Sequence, residues 1–395
     1  MRLERGIWVQ AALAAWLVWP AAAQFEVAGK KVQVHGFFSQ GYALSDTNNY
    51  MTMNTSQGSL ALTDGGVNIS TKLTNKLRVG MQAYTRNMGQ FTNGKPEIDW
   101  AYADYRITDW LGVRGGKVKT VIGLYNDTQD MEFLHTWAIL PQSLYALDLR
   151  ALNIAHVGGD LYGDVPLRKL GTVSYTVYGG RQPDDKRGGY YYGLADSKLA
   201  IDRFQVWAKG ADVRWMPAQG GLTVGASWND QRQEGSARDL RFGRPVPFEF
   251  FSRKNNTYRG YAEYQGRGLK FAAEYQRLWA VQKYSLPFIP EGSFDSRSWY
   301  VSGAYRIHRV LEAGSYHARY VTDWRKDHRP PGAHVYDTAV TVRVDVKPYW
   351  NVKVEGHFLD GYASLQSTRG FYARNNPQGL VPRTNLLVLR TGVNF

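Results

Sequence analysis

Basic side chains recur along the strand-like segments of this chain, on the polar side of an alternating pattern. They are Arg259, Lys270, Arg306, Arg343, Lys353 and Arg390, and Lys117 and Lys119 stand at the end of an earlier segment. Rings of Lys or Arg that line a pore favour anions. These residues therefore predict a pore-lining, anion-selecting wall. The alternative is cross-strand pairing with acidic residues of the same phase, which only stabilises the sheet; these are Glu263, Glu274, Asp345 and Glu355.

Three acidic residues, Asp127, Asp130 and Glu132, lie in a long apolar excursion that interrupts the alternation. A connection of about thirty residues is far longer than most loops, and its Leu, Trp, Tyr and Phe content argues against disorder. We predict that residues 119–150 fold back into the lumen of a barrel and constrict a pore. The three acids either face a basic wall across the lumen or anchor the loop to that wall.

The elements that must position these side chains have the pattern of a transmembrane β-barrel. Segments of about ten residues with period-two alternation recur from Val32 onward. In 340–346 every second residue is Val, and Thr341, Arg343 and Asp345 lie between them. A final alternating segment ends at Phe395 and is similar to the last strand of bacterial outer-membrane proteins.

Short and long links alternate between these segments, as tight periplasmic turns and long external loops do in outer-membrane barrels. We predict about 16 strands, all antiparallel, with both termini on the periplasmic side and the third external loop folded into the lumen. The short links are predicted at residues 74–76, 108–110, 164–169, 216–221, 266–267, 308–309 and 347–351, and the long ones at 45–59, 87–96, 120–150, 181–203, 231–256, 280–296, 322–334 and 364–383.

Residues 1–23 have the pattern of a cleaved signal peptide. Arg2 and Arg5 precede an apolar run of about thirteen residues, and Ala21, Ala22 and Ala23 end it as a cleavage site. No later stretch is apolar for about eighteen residues, the length that indicates a transmembrane helix. We therefore expect export to the bacterial outer membrane and one barrel domain over residues 24–395.

The charge and aromatic content of the chain indicate which classes of partner it can bind. The chain has 48 Lys and Arg against 34 Asp and Glu, a net charge of +14, which indicates anionic lipid headgroups, including lipopolysaccharide, or anionic solutes. No recognisable nucleic-acid-binding module is present, so nucleic acid is excluded as a partner. The 26 Tyr and 13 Trp fit the aromatic girdles of a barrel. The sequence has no Cys, and a closed sheet needs none.

The segment 116–126, Gly-Lys-Val-Lys-Thr-Val-Ile-Gly-Leu-Tyr-Asn, resembles the G-x-x-K-x-P-x-G-L-Y-N segment of the phosphate-selective porin family of Gram-negative bacteria. Residues 140–145 and 158–163 resemble that family's return from its third external loop. Val121 departs from the pattern, since the family usually has proline there. The resemblance covers roughly fifty residues and implies a homotrimeric, sixteen-stranded diffusion channel, without fixing the solute.

Two other classes remain as alternatives to a passive porin for small anionic or hydrophilic solutes. A barrel protease would use Asp-Asp and Asp-His pairs such as Asp184-Asp185 and Asp327-His328, which lie in predicted external loops. A barrel could instead serve to bind a partner through its loops. The sequence contains no G-x-S-x-G, no H-E-x-x-H and no Cys/His cluster, so we predict no catalytic residues, no metal and no cofactor.

Overall fold

A computed structural model describes residues 23–27, 29–91, 94–241, 243–286, 289–363 and 369–395. Nearly all of the predicted signal peptide, residues 1–22, lies outside these ranges, so its cleavage stays a prediction. The described chain is almost entirely antiparallel sheet. The strands are β1 (Ala23–Val27), β2 (Lys30–Ser45), β3 (Ser59–Lys72), β4 (Leu77–Asn87), β5 (Glu97–Thr108), β6 (Leu111–Lys119), β7 (Ala155–Pro166), β8 (Thr172–Arg181), β9 (Leu199–Met216), β10 (Leu222–Asp239), β11 (Val246–Gly266), β12 (Leu269–Tyr284), β13 (Gly292–His308), β14 (Leu311–Val321), β15 (His334–Lys347), β16 (Trp350–Asp360) and β17 (Arg383–Asn394).

Strands β2 to β17 form a closed barrel in which each strand pairs with its neighbours in sequence. The last strand, β17, pairs with β2 from Leu386 to Asn394 and closes the circle. Phe395 continues this seam, since its backbone exchanges hydrogen bonds of 2.9 and 3.0 Å with Gly36. The described ranges thus contain the predicted sixteen barrel strands, and β1 adds only a short hairpin on β2.

The two faces of the barrel have the inverse of the polarity found in a soluble protein. Along β15 and β16, Val340, Val354 and Phe358 are exposed on the outer face, whereas Thr341 and Lys353 are fully buried on the inner one. Alternating apolar and polar residues can satisfy both environments only when lipid lies outside and a polar lumen inside. The period-two pattern of the sequence therefore gives the correct inner and outer phase for these strands.

The links confirm the alternation of short and long connections, with three corrections. Residues 280–296 were predicted as one long link, but β12 ends at Tyr284 and β13 starts at Gly292, so only 285–291 connect them. Residues 231–256 were predicted as one loop, but β10 runs to Asp239 and β11 starts at Val246, so only 240–245 connect them. Strand pairing continues there past register shifts at Asp230 and Ser252, which blur the alternation. The predicted 119–150 loop spans 120–154, because a single helical turn, α1 (Arg150–Asn153), precedes β7. A second helix, α2 (Gly189–Asp196), lies in the next long link.

Part of the buried apolar core lies inside the barrel, between the 120–154 connection and the inner wall. Trp137, Leu140 and Tyr145 of the connection pack with inward-facing Tyr300 and Tyr316 of the wall. The Trp137 and Tyr316 rings meet edge to face, with centroids 5.1 Å apart, a favoured aromatic geometry. The apolar residues of the connection therefore pack the loop against the inner wall of the barrel.

Candidate functional site

The connection 120–154, hereafter the inner loop, is held inside the barrel by inward-facing side chains. Its backbone N–H groups donate to the wall: Gly123 to Ser227 Oγ at 2.9 Å, and Ala138 to Glu355 Oε2 at 2.9 Å. A segment inside a barrel must satisfy its backbone polar groups somewhere. Here hydroxyl and carboxylate groups of the wall supply acceptors that the loop, having little regular structure, lacks.

Basic side chains of the wall satisfy the carbonyl oxygens of the same loop. Five of the predicted pore-lining residues do so, namely Lys119, Arg259, Arg343, Lys353 and Arg390. Arg390 donates to the Ala138 carbonyl at 2.6 Å and also binds Asp64 at 2.7 Å. These guanidinium and ammonium groups lie on the predicted inner face, but their partners are loop backbone as well as wall carboxylates.

Two of the three acidic loop residues are anchors. Asp130 accepts from Lys119 at 2.7 Å and lies 3.6 Å from Arg150. Burial alone would raise the pKa of Asp130, but these two cations hold it at about 2. Glu132 pairs with Lys353, and although burial opposes it, Lys353 and Arg390 keep the Glu132 pKa below its usual value.

Asp127 engages the basic residues through its backbone, since its carbonyl accepts from Lys119 Nζ at 2.8 Å. Of the two alternatives left by the sequence, these contacts match loop anchoring for Asp130, Glu132 and Lys119. A field across the lumen would instead need their charges to face water.

Lys117 has a different place from the one predicted. It pairs with Val157 and Ala101 on the outward phase of β6, and its ammonium donates to the Ile98 carbonyl. The sequence suggested an inner position because Lys117 stands beside Lys119 in one basic segment. Period-two alternation instead places Lys117 in the phase of exposed Val113, on the outer face.

A set of basic side chains near the short-link ends of the strands remains partly open to the lumen; we call it the basic ring. Its members are Arg78, Arg114, Arg214, Lys270 and Arg306. Lys270 and Arg306 were predicted, whereas Arg78, Arg114 and Arg214 were missed. A signal was present, because each of the three alternates with residues of the outer face, such as Val113 beside Arg114 and Val213 beside Arg214.

In most ion pairs of the basic ring the cation is more exposed than its carboxylate partner. The Lys270 side chain is 35% exposed and Glu312 only 2%, and Arg114 is 19% exposed against 0% for Asp160. Arg343, just outside the ring, has the opposite order, being less exposed than Asp345. Within the pairs of the basic ring, the group that faces the lumen water is therefore mainly the cation, although each pair is neutral as a whole.

The acidic groups considered for a protease have ordinary partners. Asp184 accepts from the Tyr191 hydroxyl at 2.7 Å, and Asp327 is bound by the Arg329 guanidinium at 2.9–3.2 Å. His328 stacks on Trp324. Within the described ranges there is no group of three or more His, Cys, Asp or Glu arranged to hold a metal ion. In the same part of the chain, no helix combines the length and apolarity that a membrane span requires.

No protein-family model matches the chain, and no curated protein matches it by sequence. Solved structures share its fold. Outer-membrane expressed OmpT of Vibrio cholerae aligns at a TM-score of 0.59 and 11% identity, over 94% of this chain and 100% of that one. The outer membrane channel DcaP of Acinetobacter baumannii aligns at 0.56 and 10%, over 94% and 100%. The anion-selective porin from Comamonas acidovorans aligns at 0.54 and 12%, over 93% and 100%. The chain thus has the closed sixteen-stranded fold of outer-membrane porins and channels.

Proposed function

We propose that this protein is an outer-membrane porin, a passive diffusion channel for small hydrophilic solutes with a preference for anions such as phosphate or carboxylates. The observation that carries the preference is the basic ring, whose cations face the lumen water while their carboxylate partners lie behind them. An anion passing at this level meets guanidinium and ammonium groups first. Basic pore linings of this kind favour anions.

The inner loop has the role of setting the pore width in this proposal. Its support is the double attachment of the loop, through wall acceptors to its N–H groups and through wall cations to its carbonyls. A constriction must keep its position while solutes pass. Five basic residues of the wall, Lys119, Arg259, Arg343, Lys353 and Arg390, then contribute to selectivity indirectly, by positioning the loop.

The membrane setting is part of the same proposal. Exposed apolar and aromatic side chains on the outer face, such as Trp207, Tyr258 and Tyr305, would contact lipid and lipopolysaccharide. The resemblance of 116–126 to phosphate-selective porins supports a homotrimer. DcaP is an outer membrane channel and the Comamonas porin is anion-selective, and both agree with the proposed activity, at 10% and 12% identity.

The test is the reversal potential of the mature protein in a planar bilayer under a KCl gradient. We expect a potential directed toward chloride, and a shift toward zero in Lys270→Gln and Arg306→Gln because each removes an exposed positive charge. Lys117→Gln removes the same charge from the outward phase and serves as the matched control. Phosphate and a dicarboxylate added in turn then rank the anions by block of the current.

A cation-directed potential in the wild-type protein contradicts the anion preference but still supports a channel. An equal shift in Lys117→Gln shows that net charge, not the basic ring, sets the potential. If the protein shows no conductance although circular dichroism shows that it is folded, the proposed channel function is contradicted. The loop-binding barrel would then be the better description.

A further inference from the structure

A cavity of about 620 Å³ lies between the inner loop and strands β9 to β13, on the side of the long links. This volume is within the range of small-molecule sites, roughly 300–1,000 Å³. The cavity is at the opposite ends of the strands from the basic ring. A solute that enters from the long-link side therefore meets it before reaching the ring.

The cavity wall combines carboxamides with aromatic rings. The carboxamides belong to Asn153, Gln182, Asn229, Gln231, Gln233, Asn255, Gln276 and Gln282. The rings of Phe248, Phe250, Tyr190 and Tyr284 lie nearer the long links and belong to one apolar cluster with α2. Carboxamides both donate and accept hydrogen bonds without carrying charge. Such a wall matches a solute that has hydroxyl groups on its edges and an apolar face.

Charged groups of the cavity already have partners. Arg259 donates to Gln276 at 2.6 Å and to the Ile122 and Leu144 carbonyls at 3.3 and 3.2 Å. Asp323 is bound by Arg325 at 2.8 Å and lies 3.8 Å from the Lys326 ammonium, and the Arg369 guanidinium lies over the Tyr320 ring. An anion placed against the carboxamides would lose its hydration without gaining a free cation, which is unfavourable.

Two polar atoms of the wall have no hydrogen-bond partner among the described residues. They are Gln182 Nε2, a donor, and Asn229 Oδ1, an acceptor, and both side chains are more than nine-tenths buried. Buried polar groups are ordinarily paired, so these two atoms are available to hydrogen-bond a ligand. The Gln182 N–H bonds the Val206 carbonyl and Asn229 pairs with Gly210. Four residues along β9 and two strand spacings across it therefore separate the Gln182 and Asn229 backbones by roughly 16 Å.

We propose that this cavity binds an uncharged, elongated, polyhydroxylated solute of the disaccharide class. Its hydroxyl groups accept from Gln182 and donate to Asn229, and a ring face packs on Phe248, Phe250 or Tyr190. The inference rests on the proposed channel only for the passage that follows binding. The basic ring selects among small ions, whereas this cavity selects among larger solutes.

The test is calorimetric titration of maltose into the folded protein, in a detergent without a sugar headgroup. We expect saturable binding with a Kd on the order of 1 mM or tighter. Gln182→Met and Asn229→Leu keep the side-chain volume and remove the hydrogen bond, so each is expected to weaken binding about five- to tenfold. Gln265→Met, an exposed position at the short-link end of β11, is the matched control. Glucuronate is titrated in parallel as a sugar with a carboxylate.

Binding that both cavity variants weaken and Gln265→Met leaves unchanged supports the proposal. No saturable maltose binding by a protein that still conducts KCl overturns it and leaves the channel intact. Equal binding by wild type and cavity variants places the site elsewhere, and tighter binding of glucuronate than of maltose overturns the uncharged class. Maltose binding by a protein without conductance supports the site and removes the channel.

Discussion

Lys353 is a charged residue with no exposure to water, and its ammonium contacts oxygen atoms of the inner loop. It pairs with the Glu132 carboxylate and donates to the Glu132 and Trp137 carbonyls at 2.8 and 3.0 Å. A buried charge is tolerated only with such partners. The same contacts join two points of the loop to β16. Lys353 is therefore the side chain whose loss should release the loop most directly.

Replacing Lys353 by Met leaves the Glu132 carboxylate buried without its main partner. Breaking a buried ion pair on one side costs about 3–5 kcal/mol, so we expect the docked loop to open in Lys353→Met. The measurements are the rate of proteolysis within 120–154 and the current noise of single channels, both of which should rise. Lys347→Met, at an exposed position on the neighbouring strand, should change neither.

A second substitution distinguishes an uncompensated charge from lost packing. In Glu132→Gln/Lys353→Met the buried carboxylate is gone, so part of the stability of the docked loop should return. If the double variant is as mobile as Lys353→Met alone, the ion pair is not what holds the loop. Wild-type proteolysis rates in Lys353→Met would contradict the anchoring role itself.

The inner loop also carries its own folded turn, centred on His135. The His135 Nε2–H donates to the Thr128 carbonyl at 2.9 Å, and Arg343 donates to the His135 carbonyl at 2.6 Å. Burial lowers the pKa of His135 to about 4. The imidazole is therefore neutral in the docked loop at ordinary pH, and charging it would bring a buried cation close to Lys353.

Docking of the loop should weaken as pH falls through this range. A released loop exposes His135 to water, where its pKa is about 6.5, so below that pH the released state binds a proton that the docked state does not. The loss is expected to grow from about pH 6.5 to about pH 4 and then level off. Asp130, whose pKa is about 2, adds a further loss only below about pH 4.

His135→Gln tests this assignment, because a glutamine amide can still donate to Thr128 but does not titrate. Current noise measured between pH 7 and pH 4 should rise in the wild-type protein and stay flat in the variant. An equal rise in both would assign the pH dependence to other groups. A rise toward alkaline pH has the wrong sign for a histidine with a lowered pKa.

Much of the strand architecture was predictable, whereas the partners of the inner side chains were not. Alternation along one strand tells which residues share a face, so the inner positions of Lys353 and Arg390 follow from sequence alone. That Arg390 meets Ala138 depends on a loop path that no local pattern specifies. Lys117 was assigned to the wrong face because it was grouped with Lys119 in one basic segment, although it shares the phase of outward-facing Val113.

The barrel is uneven in height: one side, the low wall, has short strands, and another side, the high wall, has long strands. Strands β4 to β8 have 9 to 12 residues each, whereas β9 to β13 have 16 to 21. On the low wall, Gly115, Gly159 and Gly179 pair in register and form a row on the outward phase. Exposed Val113 and Val177 share that phase. The row leaves a flat apolar strip along which the sheet of a second copy can approach, as a homotrimer requires.

The glycine row gives the proposed homotrimer a test that does not disturb the single barrel. A Cβ added at Gly115 meets no described atom within 4 Å, and the same holds for outward-facing Gly260 on the high wall. Gly115→Leu should therefore fold normally but keep a second copy away, since overpacking a close contact costs about 1–3 kcal/mol, while Gly260→Leu should assemble like the wild type. Native mass spectrometry of the detergent-solubilised protein measures the distribution of monomers and trimers. If both variants remain trimeric, or if Gly260→Leu alone dissociates, the low wall is not the contact between copies, because only a side chain within the interface can separate them.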